Sequence, residues 1–185
     1  MSLESLTAQG WRAERYTLTT VQTYLWGILF ALPFVLLAWG LYRMLLLNRA
    51  ALLDHTSLIL LAVIVVSVPL HEALHGFGWK LAGRLQKGDV NFFIRGGIPM
   101  CACQAILPTK AYLAGTLLPF FILGVGSFLF LFLCPGTVSV LTAFVNLRLP
   151  GADLAISWRV LRSEAALIAD NPFGAGFIGL VRNKE

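Results

Sequence analysis

Long apolar runs alternate with short polar stretches along the chain, and this pattern predicts four membrane-spanning helices. The predicted spans are residues 24–47, 57–79, 111–133 and 138–165. Residues 1–20 are expected to lie at the cytoplasmic surface of the membrane, and residues 170–185 to form a C-terminal tail. No internal repeat is visible, so residues 1–185 are predicted to form a single membrane-embedded domain.

Two features interrupt this helical pattern. Pro150 and Gly151 follow an apolar run and should divide the fourth span into two helical pieces. Between the second and third spans, residues 90–94 and 100–106 have strand character on either side of a Gly-Pro turn. The sequence therefore predicts an all-α polytopic membrane protein with about four transmembrane helices and a small β-hairpin between helices 2 and 3.

The amino-acid composition supports the same conclusion as the hydrophobic pattern, namely that the chain is a membrane protein. Hydrophobic residues make up 58% of the chain and charged residues only 12%, whereas soluble domains are nearer half apolar and a quarter charged. The net charge of +5 comes from basic residues that would lie on one side of the membrane, which favours cytoplasmic termini. No stretch interleaves basic and aromatic residues as nucleic-acid grooves do, so the lipid bilayer is the expected partner.

The three cysteines give no disulfide framework, because their number is odd and no CxxC pair is present. Cys101 and Cys103 could in principle bind a metal ion, but the sequence offers no two further thiols or imidazoles beside them.

The strongest candidate for chemistry is the stretch His71-Glu72-Ala73-Leu74-His75 at the end of the second apolar run. Residues four apart on a helix lie one above the other, so His71 and His75 can offer two imidazole nitrogens to one zinc ion. Glu72 would lie beside them as a general base, which is the H-E-x-x-H pattern of zinc hydrolases. Two buried histidines that make ordinary hydrogen bonds are the alternative.

A catalytic zinc site needs a third protein ligand and one open position for water. The candidates are Asp54, His55, Asp89, Asp153, Glu164 and Asp170. Asp54 and His55 lie a bilayer away from the motif, Asp89 and Asp170 lie in polar stretches, and Glu164 has the character of a surface residue. Asp153 follows an apolar span and a helix break, so we expect it to be the third ligand, although the same position also suits a helix cap.

Given such a site, Glu72 would take a proton from the attacking water and pass it to the leaving amine. Asn146 lies two helical turns before Asp153 and is a candidate donor to the developing oxyanion. An asparagine in a membrane helix also commonly bonds a neighbouring helix, and that alternative stays open.

These motifs resemble the site-2-protease group of intramembrane metalloproteases, and most closely the zincin peptidase family of small bacterial membrane proteins. The resemblance covers residues 55–165 and rests on the HEALH motif together with Asn146 and Asp153 downstream. Site-2 proteases carry N-x-x-P-x-x-x-x-D-G, whereas here the spacings differ and Leu154 replaces the last glycine. The resemblance implies that His71, His75 and Asp153 bind Zn²⁺ and that the protein lies in a bacterial cytoplasmic membrane.

The leading functional expectation is a zinc metalloprotease that hydrolyses peptide bonds of membrane-associated protein substrates in or beside the membrane. The predicted hairpin could offer a strand edge to an extended substrate. The alternatives are a non-catalytic membrane protein, either a metal-binding subunit or an adaptor, and a transporter built on the broken fourth span. The sequence does not identify the substrate or the oligomeric state.

Overall fold

A computed structural model describes residues 3–46, 56–95, 97–171 and 174–182, and it contains helices together with two antiparallel sheets. The helices are α1 Leu3–Ala8, α2 Thr20–Leu46, α3 Thr56–Gly83, α4 Thr109–Pro119, α5 Gly126–Leu133, α6 Thr137–Arg148 and α7 Gly151–Arg162, with a π-helical segment Phe120–Val125 between α4 and α5. The strands are β1 Trp11–Thr17, β2 Val90–Arg95, β3 Ile98–Cys103, β4 Ile106–Pro108, β5 Leu167–Asp170 and β6 Gly176–Arg182. The all-α prediction is therefore wrong.

The prediction of four spans is also wrong. Within the described ranges, three helical runs are long and apolar enough to cross a membrane, namely Thr20–Met44, Thr56–Gly83 and Thr109–Leu133. The predicted fourth span is two helices of 12 residues each, α6 and α7. Each is about 18 Å long at the helical rise, which is too short to cross a bilayer alone. The interruption itself lies where Pro150 and Gly151 predicted it.

A four-stranded antiparallel sheet in the order β1-β6-β5-β4 accounts for most of the unexpected strand content. β1 pairs with β6 from Trp11↔Arg182 to Thr17↔Gly176. β6 lies within the stretch predicted to be a C-terminal tail, and β1 within the predicted surface segment. Neither strand has an alternation of apolar and polar residues strong enough to identify it without its partner, because the two lie far apart in the sequence.

The predicted hairpin is present as a separate two-stranded sheet, β2–β3. Its return strand begins at Ile98, earlier than expected, and Gly97 supplies the positive φ of 82° in the turn. The preceding Gly96 lies outside the described residues. The hairpin packs on α3, where a Cβ at Gly76 would lie 2.6 Å from the Phe92 ring. The hairpin therefore approaches α3 directly after the HEALH motif.

All six strands lie at one end of the helix bundle. β1 leads into α2, α3 leads into β2, β4 leads into α4, and α7 leads into β5. The opposite end of the bundle contains the end of α2, the start of α3 and the turn between α5 and α6. The chain is therefore a bundle of apolar helices with its sheets gathered at one end.

Two glycines allow α3 and α4 to approach each other closely. A Cβ at Gly78 of α3 would lie 2.7 Å from the Gly115 Cα of α4, and a Cβ at Gly115 would lie 2.0 Å from Trp79. Trp79 is 4% exposed and donates its indole N–H to the Tyr112 carbonyl at 3.0 Å, so its ring has little room to move. The contact depends on the absence of a side chain at Gly115.

Replacing Gly115 with alanine should lower the stability of the protein in detergent by about 1–3 kcal/mol, because the added methyl group overlaps Trp79. The matched control is Gly126→Ala in the same span, where a Cβ would meet nothing within 4 Å. Alanine is the better helix former, so this control should be neutral or stabilising. Thermal unfolding of both variants tests the contact, and equal melting temperatures would contradict it.

Candidate metal centre

His71 and His75 lie on one face of α3 and are almost completely buried, at 4% and 5% exposure. Their ring centroids are 4.7 Å apart and their planes are nearly perpendicular. His71 lies about 22 Å along the helix from Thr56, so both rings lie deep in an apolar segment. Two imidazoles at that depth need polar partners.

Asp153 supplies the first of those partners from the first turn of α7. The break at Pro150 ends α6 and redirects the chain, so that α7 begins in the middle of the bundle rather than at its end. The start of α7 lies against α2, because a Cβ at Gly151 would be 2.1 Å from the Gly27 carbonyl oxygen. The backbone contact between Gly27 and Gly151 therefore fixes the position from which Asp153 reaches α3.

Three potential ligand atoms converge at this point. His71 Nε2 lies 3.0 Å from Asp153 Oδ2 and 3.1 Å from His75 Nε2, and His75 Nε2 lies 3.5 Å from Asp153 Oδ2. Ligand atoms arranged tetrahedrally around zinc, each about 2.0–2.1 Å from the ion, lie about 3.3 Å from one another. The observed triangle has this size, and two nitrogens with one carboxylate oxygen are a donor set that zinc prefers.

His75 is held in the orientation that a metal ligand requires. Its Nδ1–H donates to the Gly115 carbonyl at 3.1 Å, which leaves the Nε2 lone pair directed toward the centre. Its ring stacks on Trp79, with centroids 5.4 Å apart, and Trp79 stacks on Tyr112 at 5.9 Å. His71 differs, since its buried Nδ1 has no hydrogen-bond partner among the described residues.

Glu72 lies beside the two histidines and is held by the hairpin. Its Oε2 accepts a hydrogen bond from the Cys101 N–H of β3 at 2.7 Å. The carboxylate lines a cavity of about 240 Å³ that also reaches His75 and Asp153. The cavity offers room for water and for part of a substrate next to the three converging ligand atoms. Glu72 therefore has the location that a general base would need.

Asp170 is a residue of this cavity that sequence reasoning missed. Its polar sequence neighbours predict a solvated carboxylate, but its Oδ2 accepts from the Cys103 N–H at 3.1 Å and its Oδ1 from the Tyr112 hydroxyl at 3.2 Å. Burial raises the pKa of this carboxyl above its usual value, although these hydrogen bonds oppose the shift. The apolar residues before it, in β5, were the signal that could have indicated a buried position.

The remaining sequence candidates lie elsewhere. Asp89 accepts from the Gln86 N–H in an exposed loop, and Glu164 is exposed after α7. Asp54 and His55 lie outside the described residues.

Asn146 is buried in α6, and its Oδ1 has no hydrogen-bond partner in the described part of the chain. Its backbone carbonyl lies close to Gly124 of the π-helical segment. The proposed contact of its amide with an oxyanion stays a prediction.

Cys101 and Cys103 do not belong to the group of converging ligand atoms found among the described residues. Burial raises the pKa of the Cys101 thiol to about 12 and that of the Cys103 thiol to about 11. Their backbone N–H groups, which bind Glu72 and Asp170, are the parts of these residues that contact the centre.

The raised pKa values should make Cys101 and Cys103 slow to alkylate. At pH 8 their thiolate fraction should be lower than that of an ordinary thiol by about 100-fold or more, so iodoacetamide should label the exposed Cys134 first. Labelling of Cys103 should accelerate as the pH rises toward 11. Peptide mass spectrometry after timed labelling measures the rates, and protein unfolded in SDS should show three similar ones. Labelling of Cys101 or Cys103 at the Cys134 rate would contradict the raised pKa values.

Comparison with known proteins gives one match. A family model described as "Putative zincin peptidase" matches residues 64–168, more than half of the chain, and this region contains the HEALH motif, the hairpin and Asp153. Searches of curated proteins and of solved structures found no match. The name of the family denotes zinc metallopeptidases, and the observed donor set fits that metal. The chain belongs to the putative zincin peptidase family.

Proposed function

We propose that this protein is a zinc-dependent peptidase that hydrolyses peptide bonds of membrane-associated protein substrates, within or next to the membrane. The observation that carries the proposal is the convergence of His71, His75 and Asp153. His75 and Asp153 line the same cavity as Glu72. The presence of Glu72 favours hydrolysis over simple metal storage, because a site that only binds metal needs no general base.

His71, His75 and Asp153 would hold the metal ion. Bound zinc supplies a Lewis acid that lowers the pKa of water and polarises a carbonyl. Glu72 would accept the proton of the attacking water and deliver it to the leaving amine nitrogen. The Cys101 N–H keeps the Glu72 carboxylate near the centre, and Gly115 keeps the His75 ring in place.

A substrate could approach along β3. The N–H groups of Cys101 and Cys103 point away from β2 toward the cavity, where they bind Glu72 and Asp170. An extended substrate could add to this edge as a further strand. Its carbonyl would then replace Glu72 as the acceptor of the Cys101 N–H, which would free the Glu72 carboxylate for catalysis. Pro99, on the same edge, has no N–H and limits the number of such contacts.

Membrane location is supported by the three long apolar helices and by their exposed side chains, which include Leu61, Val65 and Leu129. We place both termini in the cytoplasm, because most described basic residues lie at the end of the bundle that holds the sheets, whereas Arg43 lies at the other end. A bacterial cytoplasmic membrane and a likeness to site-2 proteases are part of the same proposal.

Metal analysis of purified protein tests the centre directly. Wild-type protein and Glu72→Gln should each hold about one zinc ion per chain, whereas His75→Ala and Asp153→Asn should lose most of it. Glutamine can still accept from the Cys101 N–H, so Glu72→Gln should keep the local structure. Wild-type protein purified without chelators and free of zinc would overturn the proposal.

The same variants separate catalysis from metal binding when a single-span reporter protein is cleaved in liposomes. Glu72→Gln should reduce kcat by about 10²–10⁴-fold while zinc is retained, which is the range for loss of a general base. Zinc-loaded wild-type protein that cleaves no better than Glu72→Gln, over a panel of single-span reporters, would favour a non-catalytic metal-binding or adaptor protein.

Asn146→Leu tests the proposed oxyanion contact. Loss of one such donor should lower kcat by about 10²–10³-fold without changing zinc content or KM greatly. If Asn146 only packs between helices, the melting temperature should fall and kcat of the folded protein should stay unchanged. Glu72→Gln serves as the reference variant, because its kcat should fall while its zinc content and fold are retained.

A further inference from the structure

A second cavity, of about 300 Å³, lies on a different face of α7 from the metal centre. Its walls come from the first turns of α2, the last turns of α7 and β1. The aromatic rings of Trp26, Phe30 and Trp158 form one side, with centroids 6.2 and 6.4 Å apart along the row. This aromatic wall is open to the surface, since Trp26 is 38% and Trp158 46% exposed.

Two guanidinium groups line the same cavity, those of Arg159 and Arg162. Arg162 lies over the Trp158 ring, with its Cζ 4.3 Å from the ring centroid. Stacking orients a guanidinium and leaves the N–H groups at its edge available to an anion.

No carboxylate among the described residues forms an ion pair with either arginine. Two carboxylates lie near the cavity. Glu14 accepts from the Tyr16 hydroxyl and pairs with Arg12. Glu164 follows Arg162 by two residues, is exposed, and lies close enough to Tyr16 to act on it electrostatically. The cavity therefore carries two guanidinium groups that form no direct ion pair within the described chain.

The level of the cavity in the bundle indicates what could neutralise them. Trp26 and Phe30 lie about 9 and 15 Å along α2 from Thr20, so the aromatic wall runs from the interfacial region into the apolar layer. Arg159 and Arg162 lie at the end of α7 that leads into the sheet. A ligand that fits has an anionic head at the membrane surface and an apolar chain below it.

We propose that this cavity is a binding site for one anionic phospholipid. Arg159 and Arg162 bind its phosphate, and its acyl chain lies along Trp26 and Phe30. The site rests on the membrane location and is independent of peptidase activity. Because α7 also carries Asp153, the bound lipid would stabilise the helix that supplies one side of the metal centre.

Binding can be measured by native mass spectrometry of the detergent-solubilised protein titrated with phosphatidylglycerol, with phosphatidylcholine in a parallel titration. Phosphatidylglycerol should bind with one molecule per chain, and phosphatidylcholine should compete with it only poorly. The double variant Arg159→Gln/Arg162→Gln should weaken this binding by about 30-fold, as expected for two arginines near an anionic headgroup.

The control Arg15→Gln/Arg182→Gln removes the same charge from exposed sheet positions outside the cavity and should leave binding unchanged. Trp158→Leu, which removes the stacking surface, should weaken binding without any change in net charge.

Equal loss in both double variants would overturn the proposal, since it would mean that only the overall charge attracts lipid. Equal binding of phosphatidylcholine would overturn it as well. Inorganic phosphate that displaces phosphatidylglycerol at similar concentration would show that the acyl chain contributes nothing and that the site binds free phosphate. Melting temperatures of all variants identify any that fail to fold, and Trp158→Leu then replaces the double variant as the test.

Discussion

The position of the Asp153 carboxylate between two buried imidazoles is the constraint on which the arrangement of the helices depends. Burying an ionisable group inside an apolar bundle costs free energy unless the group contacts a hydrogen-bonding or oppositely charged partner. In a continuous fourth span, the position of Asp153 relative to His71 and His75 would follow only from the number of helical residues before it. The break at Pro150 lets α7 begin where Asp153 can reach α3, and the contact between Gly27 and Gly151 holds that start against α2.

The centre is supported from two sides by different interactions. On one side, a row of rings runs from His75 through Trp79 and Tyr112 to Phe177 of β6, stacked as far as Tyr112 and tilted between Tyr112 and Phe177. On the other side, β3 uses two N–H groups on one edge to hold Glu72 and Asp170. The sheets that the sequence did not reveal are therefore part of the environment of the metal centre, because they fix the residues that surround it.

Prediction from sequence succeeded where the signal is local. The HEALH spacing on an apolar helix, the break at Pro150 and the hairpin turn each depend on neighbouring residues, and all three features are present. Asp153 was selected by eliminating other carboxylates, and the structure brings it to both histidines. Whether these residues bind zinc is a matter for the metal analysis.

The failures share a physical cause, which is dependence on partners far away in the sequence. β1 is rich in charged residues and forms a strand only because β6 pairs with it. Asp170 was assigned to a polar loop, and its role depends on the Cys103 N–H and on Tyr112, which belong to other elements. The length of α7 likewise reflects its packing against α2 rather than the width of an apolar layer.

The pairing of β1 with β6 sets an order of assembly during synthesis. Among the described elements, β1 precedes the three long apolar helices and β6 follows them, so β1 has no partner until β6 has been synthesised. An unpaired strand edge is open to other chains during that interval. Phe177, which joins the row of rings behind His75 and stacks on Tyr16 of β1, also belongs to β6. The imidazole of His75 therefore gains the support of this row of rings only after β6 has been synthesised.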